Sequence, residues 1–246
     1  MKQGLIAMAV FAMFTACRKE DNNPPVKGAD VYVLDSKVML QTVYMYEGSR
    51  FITNQDSIKT AAVIKSSTFP DPFVYGSNPV DSVANYTAIG ISGDTAYVYF
   101  KNTVTRAELR NAAKVEQRAN GDLLLTYVDS SYVGYTSPED FKRSDSINKQ
   151  WYSVQFDYAP TNVKTASFYV YNVAYLNKIL ILKENGELYL PYTTIMYRVR
   201  PEGSTEYRSS YTTKGARLPF NDAAAKKLPE NHMMIVQTGK IKLIKQ

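Results

Sequence analysis

The chain is expected to be mainly β, an antiparallel β-sandwich or a partly open barrel with one amphipathic helix and a short C-terminal helix. Three observations carry this. Side chains of two kinds alternate over short runs, Val43–Tyr46 and Ala96–Phe100 among them, which is the period-two pattern of half-buried strands. Turn residues punctuate those runs at Gly93-Asp94, Asn120-Gly121-Asp122 and Asn185-Gly186. Twenty tyrosines against one Trp and one His tilt the composition toward a residue that suits strands and half-wet surfaces. A parallel α/β fold needs a helix between most strands, and those helical periods are missing.

In order, strands are expected at Asp30–Asp35, Lys37–Tyr46, Ser49–Thr53 and Ser57–Lys65. The stretch Ser66–Asn85 carries Pro70, Pro72, Gly76 and Pro79 and reads as a long loop. Strands follow at Tyr86–Ser92 and Thr95–Lys101. Arg106–Arg118 reads as a helix, with Thr105 and Glu108 in the spacing of a capping box and Leu109, Ala112 and Ala113 as a narrow apolar stripe. Leu123–Asp129 is a strand. Polar Thr136–Ser146 is the best internal boundary, so residues 29–246 form one β-rich domain or two, 29–136 and 147–246.

Further strands are expected near Trp151–Tyr158, Lys164–Val173 and Lys178–Lys183. Asn185-Gly186 supplies the positive φ values of a tight hairpin. Leu188–Arg200 continues as a strand in which Pro191 marks an edge or a bulge, and Glu206–Thr213 is the next. Asn221–Leu228 is a short helix with lysines at its end. Met233–Gln237 and Lys240–Ile244 close the chain as a hairpin around Thr238-Gly239.

The N-terminal stretch has its own pattern. Lys2 precedes an apolar run, Leu5–Phe14, of ten residues. That is too short for a membrane-spanning helix, which needs about 20, and it fits the core of a signal peptide. It ends in Phe14-Thr15-Ala16-Cys17, which resembles the lipobox of bacterial lipoproteins. The resemblance implies removal of residues 1–16 and lipidation of Cys17 through its sulfur. Cys17 is the only cysteine, so no internal disulfide is available. Arg18–Gly28 is polar, contains Pro24-Pro25 and reads as a flexible tether over residues 17–28. Its Lys19-Glu20-Asp21 resembles the export signal of surface lipoproteins in the Bacteroidota. The resemblance implies a lipid-anchored outer-membrane protein at the cell surface, with a periplasm-facing orientation as the alternative.

Function is bounded more than named. The net charge of +6 is spread along the chain, and with an export signal nucleic acid is an unexpected partner. A single His removes most His-based catalytic and metal schemes within one chain. There is no nucleophile elbow, no phosphate-binding Gly-rich loop and no paired-His zinc motif. No cofactor, catalytic residue or metal ligand is expected.

Two constellations remain. Strand alternation sets Tyr44 and Tyr46 opposite Val43 and Met45, Tyr97 and Tyr99 opposite Ala96 and Val98, and Tyr169 and Tyr171 opposite Phe168 and Val170. In one sheet these would make an aromatic ligand-binding platform; structurally, Tyr also simply coats half-buried faces. Arg106, Arg110, Lys114 and Arg118 recur every fourth residue, a basic ridge on the expected helix that could meet anionic groups or remain solvated.

Asp56-Ser57, Asp81-Ser82, Asp94-Thr95 and Asp145-Ser146, each before an apolar residue, resemble the O-glycosylation pattern of the Bacteroidota and equally fit turns that open strands. The leading expectation is a non-enzymatic, lipid-anchored envelope protein binding a glycan or other extracellular ligand. A partner-docking subunit of an outer-membrane assembly comes second, and a carboxylate-based hydrolase third.

Overall fold

A computed structural model describes residues 28–63, 72–76, 80–81, 86–101, 108–135, 150–152, 157–164 and 169–246. Cys17, the apolar run, most of the tether and Arg106 lie outside them. The strands are β1 (Asp30–Leu40), β2 (Tyr44–Glu47), β3 (Arg50–Ile52), β4 (Val80–Asp81), β5 (Tyr86–Ser92), β6 (Thr95–Lys101), β7 (Glu108–Gln117) and β8 (Leu123–Tyr135). They continue with β9 (Asp157–Lys164), β10 (Tyr169–Glu184), β11 (Glu187–Val199), β12 (Arg208–Ala216) and β13 (His232–Lys245). Helices α1 (Gln55–Ala62) and α2 (Asp222–Ala225) lie among the described residues.

Every pairing between these strands is antiparallel. The order β11-β10-β8-β7-β6-β5-β1-β13 closes on itself, because β13 also pairs β11. Leu243 shows the closure: it lies opposite Leu34 of β1 on one side and Leu188 of β11 on the other. The sheet is therefore a closed eight-stranded barrel, more specific than the expected sandwich or open barrel.

Eight strands leave an interior that side chains can fill. Val38, Ile89, Val98, Leu125, Ile181 and Ile241 fill it with no exposure at all. Small residues, Ala96 on β6 and Ala113 on β7, lie opposite each other in the wall and make room for the branched side chains. At one end of the barrel the strands are joined by tight turns. In one of them Asn185 (φ 51°) and Gly186 (φ 82°) adopt the expected left-handed pair. The chain enters at this same end, where Asp30 pairs with Ile91 and the amide of Gln246 donates to the Val31 carbonyl.

At the opposite end β11 and β13 run on past the barrel and form the middle of a projecting sheet, β12-β11-β13-β2-β3. Both faces of this sheet are covered. One packs Tyr46, Trp151, Ile195, Tyr197, Leu228 and Met234. The other packs Met45, Ile58, Phe73, Met196, Met233 and Ile235.

The structure corrects three expectations. Arg106–Arg118 is not a helix: residues 108–117 are strand β7, held between β6 and β8. Leu109, Ala113 and Val115 follow the period of two, and pairing on both sides outweighs the weak helical preference of Ala, Glu and Arg. Ser57–Lys65 is not a strand, since its described part belongs to α1. Asn54 caps that helix by accepting from the Ser57 amide at 2.9 Å.

Thr238-Gly239 is not a turn, because β13 runs through it unbroken. Gly239 is a close approach, where a Cβ would stand 2.5 Å from the Met39 carbonyl oxygen. Pro191 does mark a local edge, as expected: it pairs with Lys240 of β13 on one side and with no described strand on the other. It sits where β11 leaves β10 after Tyr189 and before it meets β12 at Thr193, so the missing N–H breaks no ladder bond there.

Candidate groove between helix α1 and hairpin β2–β3

The sequence builds a groove on the projecting sheet in three steps. First, Glu47-Gly48-Ser49-Arg50 folds β2 back into β3. Gly48 takes φ 56° at the first central position, and its amide donates to the His232 carbonyl at 2.9 Å. Second, the Asn54 cap starts α1 directly after β3. Third, α1 is pinned at both ends. Gln55 donates to the Val43 carbonyl at 2.8 Å. Arg198, only 5% exposed, donates to the carbonyls of Ala61 at 2.6 Å and Ala62 at 2.9 Å. These are final-turn carbonyls, and a cation there also meets the negative end of the helix dipole.

Ile58 and Ala62 face the core, so Asp56, Ser57, Thr60 and Ala61 face outward. Between this face and β2–β3 lies a groove of about 660 Å³. Met45, Ile52 and Ala61 give it apolar surface, and Glu47, Arg50, Asp56, Ser57 and Thr60 give it charges and hydroxyls. Glu47 pairs with Arg50 and accepts from the Tyr207 hydroxyl at 3.2 Å. Burial, then the charge of Glu47, raises the Tyr207 phenol above its ordinary range, so it stays a proton donor to that carboxylate. The Arg200 guanidinium stands 5.4 Å over the Tyr207 ring. Amphipathic surface of this kind suits a ligand with an apolar face and several hydrogen-bonding groups.

None of these groove residues was singled out from the sequence as a ligand contact; Asp56 and Ser57 entered only as an O-glycosylation-like pair and Met45 only as part of a strand face. The legible signals were Asn54 as a cap and the helical spacing of Ile58, Ala61 and Ala62. The β propensity of the surrounding residues masked them.

The four tyrosines whose side chains are described, Tyr44, Tyr46, Tyr97 and Tyr99, do not form one platform. Alternation holds locally: Val43 and Met45 pack on one face of the projecting sheet, Tyr44 and Tyr46 on the other. Tyr46, however, is 1% exposed and donates to Asp222 at 2.5 Å, so its ring belongs to the core and not to a ligand face. Burial, then the bond to Asp222, raises its phenol. Tyr44 is half-buried, with Tyr46, Phe51 and Phe220 around it.

Tyr97 and Tyr99 lie on β6, opposite in direction to Ala96 and Val98, which fill the barrel. Tyr99 is nonetheless buried, while Tyr97 is half-buried with Arg110 5.2 Å over its ring. Tyr169 and Tyr171 are on β10, separated from β6 by β7 and β8, and their side chains lie outside the description.

The basic residues change meaning with the secondary structure. Along a strand, Arg110 and Lys114 share a face because four is even, but they stand about 13 Å apart and not about 6 Å. Glu116 joins the same face, next to Lys114. The expected ridge is a strand face of mixed charge. Arg118 follows β7, and its amide donates to the Asp122 carbonyl in the turn.

Among the O-glycosylation-like positions, Ser57 is exposed in the first turn of α1 and lines the groove. Thr95 opens β6 with its hydroxyl 3.2 Å from Asp94, as a strand-opening turn would have it. Ser82 and Ser146 lie outside the described residues. Among the described residues, no cluster of His, Cys, Asp and Glu could hold a metal, and no helix is long and apolar enough to cross a membrane. No protein family, curated protein or solved structure matches this chain.

Proposed function

We propose that the protein is a lipid-anchored component of the bacterial outer membrane that binds a ligand without transforming it, through the groove between α1 and β2–β3. One observation carries this reading. The groove lies at the end of the fold opposite the point where the chain enters the barrel, about 40 Å away along β13. A chain tethered through Cys17 and residues 18–28 would hold its barrel near the membrane and its groove away from it.

The groove chemistry suits a glycan. Apolar floor can meet the apolar face of a sugar ring, and Asp56, Ser57, Thr60 and Arg50 can hydrogen-bond its hydroxyls. Binding is favoured over hydrolysis because Glu47 is engaged by both Arg50 and Tyr207. A hydrolase needs two carboxyl groups free to act on one bond.

The test is capture of surface polysaccharides by the full-length protein in detergent, using Thr60→Arg and Ile52→Arg to fill the groove and Tyr97→Ala as a barrel-wall control. Loss of capture of at least about tenfold in both groove variants, with the control unchanged, supports the groove. Loss in the control alone moves the site to the barrel wall. Metabolic lipid labelling with Cys17→Ala tests the anchor separately.

A further inference from the structure

Helix α1 is sandwiched. Its outward face lines the groove; its inward face meets residues 72–76, a strap that pairs with no strand among the described residues. One buried side chain grips the backbone of the strap. Gln237, 3% exposed, accepts from the Val74 amide at 3.0 Å and donates to the Val74 carbonyl at 2.8 Å. A single carboxamide thus reads the backbone of one residue as a neighbouring strand would. The same nitrogen also reaches the Gln41 carbonyl at 3.2 Å.

Two contacts pass from the strap to the helix. Phe73, 7% exposed, packs in one buried cluster with Ile58 and Ala62. Lys59 stands 5.3 Å over the Tyr75 ring. Gln237 comes from β13 and Arg198 from its partner β11, so the seat of the strap and the pin of the helix rise from adjacent strands.

We propose that residues 72–76 are a latch that sets the position of α1 and therefore the width of the groove. This rests on the groove as the binding site and adds a control to it. When Val74 sits on Gln237, Phe73 backs Ile58 and the outer face of α1 is fixed against β2–β3. When the strap lifts, α1 loses that backing and the groove loses a rigid wall. By linkage, a ligand that holds α1 in place also holds the strap down.

The experiment needs no ligand. Amide hydrogen exchange is followed by segment in the full-length protein, in Gln237→Met, which keeps volume but loses the bonds to Val74, and in Lys59→Met, an exposed change that severs only the link to Tyr75. Expected is exchange about tenfold faster over residues 58–63 in Gln237→Met, and a smaller increase in Lys59→Met, with β6 and β7 at the wild-type rate. Faster exchange at Val74 with α1 unchanged in both variants would overturn the latch. Exchange rising together over α1 and the barrel would overturn it too, by showing no local unit. Failure of the groove to capture any glycan would sink the functional reading and leave this result standing.

Discussion

Strands β11 and β13 pair along their whole length yet serve two different environments. In the barrel their side chains alternate in direction, and on β13 in exposure as well, although Tyr189 and Pro191 of β11 are also buried. Leu188 and Leu190 face inward with Leu243 and Ile241, while Lys240 and Lys242 face water and pair with Glu184 and Glu187. In the projecting sheet the alternation in exposure vanishes: residues 193–198 and 233–237 are buried without a break.

The same ladder therefore changes from a one-sided to a two-sided core at Gly239. There the other neighbour of β13 changes from β1 to β2. The lesson is that a half-wet barrel wall needs only alternation. A sheet buried on both faces must also satisfy its polar groups, and it does so with Thr193, Arg198 and Gln237, each bonded to a backbone carbonyl or amide.

The junction itself is where the largest effect is expected. Gly239→Val drives a side chain into the Met39 carbonyl and Leu40, both contacts of the fixed wall. We expect a loss above about 4 kcal/mol or failure to fold, read by denaturant titration. A mild effect would mean that the two regions are not rigidly joined.

Within the barrel, Leu125→Ala should cost about 3 kcal/mol and lower the single unfolding midpoint. In the projecting sheet, Arg198→Met should cost about 2 kcal/mol by leaving two carbonyls of α1 without their donor. It should also speed exchange in α1 well before the barrel responds. Equal exchange in both regions would show that they open as one unit.

Asn54→Ala removes the cap of α1 and should cost about 1 kcal/mol, confined to the helix and the groove.

The smallest expected effect is on pH. Burial lowers the pKa of His232, which sits on the Tyr197 hydroxyl at 2.6 Å in the projecting sheet. The unfolded chain then binds a proton that the folded chain refuses. Stability is full above about pH 6.5, the ordinary His value, and falls as pH drops from there toward the folded pKa. Since His232 is the only His, His232→Phe should flatten this step in a thermal melt series. A step that survives the substitution belongs to other groups.

Much of the β architecture was legible because alternation is a local property. The hairpin at Asn185-Gly186, the inward set Ala96 and Val98, and the opposed faces of Val43–Tyr46 all follow from residues within a few positions. The helix at Arg106–Arg118 misled because Ala, Glu and Arg carry helical preference in any isolated peptide. The competing pattern, Leu109, Ala113 and Val115 with charges between, wins only when β6 and β8 are present to pair. The groove was illegible for a similar reason, since its lining comes from β2, β3 and α1 and its pins from Arg198 and Gln237, far away in the chain.

The sequence by itself determined that this is a β protein, which side chains alternate and where its sharpest turn falls. Those features depend on short-range sterics and on the chemistry of neighbouring residues. Tertiary structure alone decided that the sheet closes, that β11 and β13 outgrow the barrel, and that Tyr46 is core. Each depends on pairing between residues as distant as Leu34 and Leu243, which no local pattern encodes.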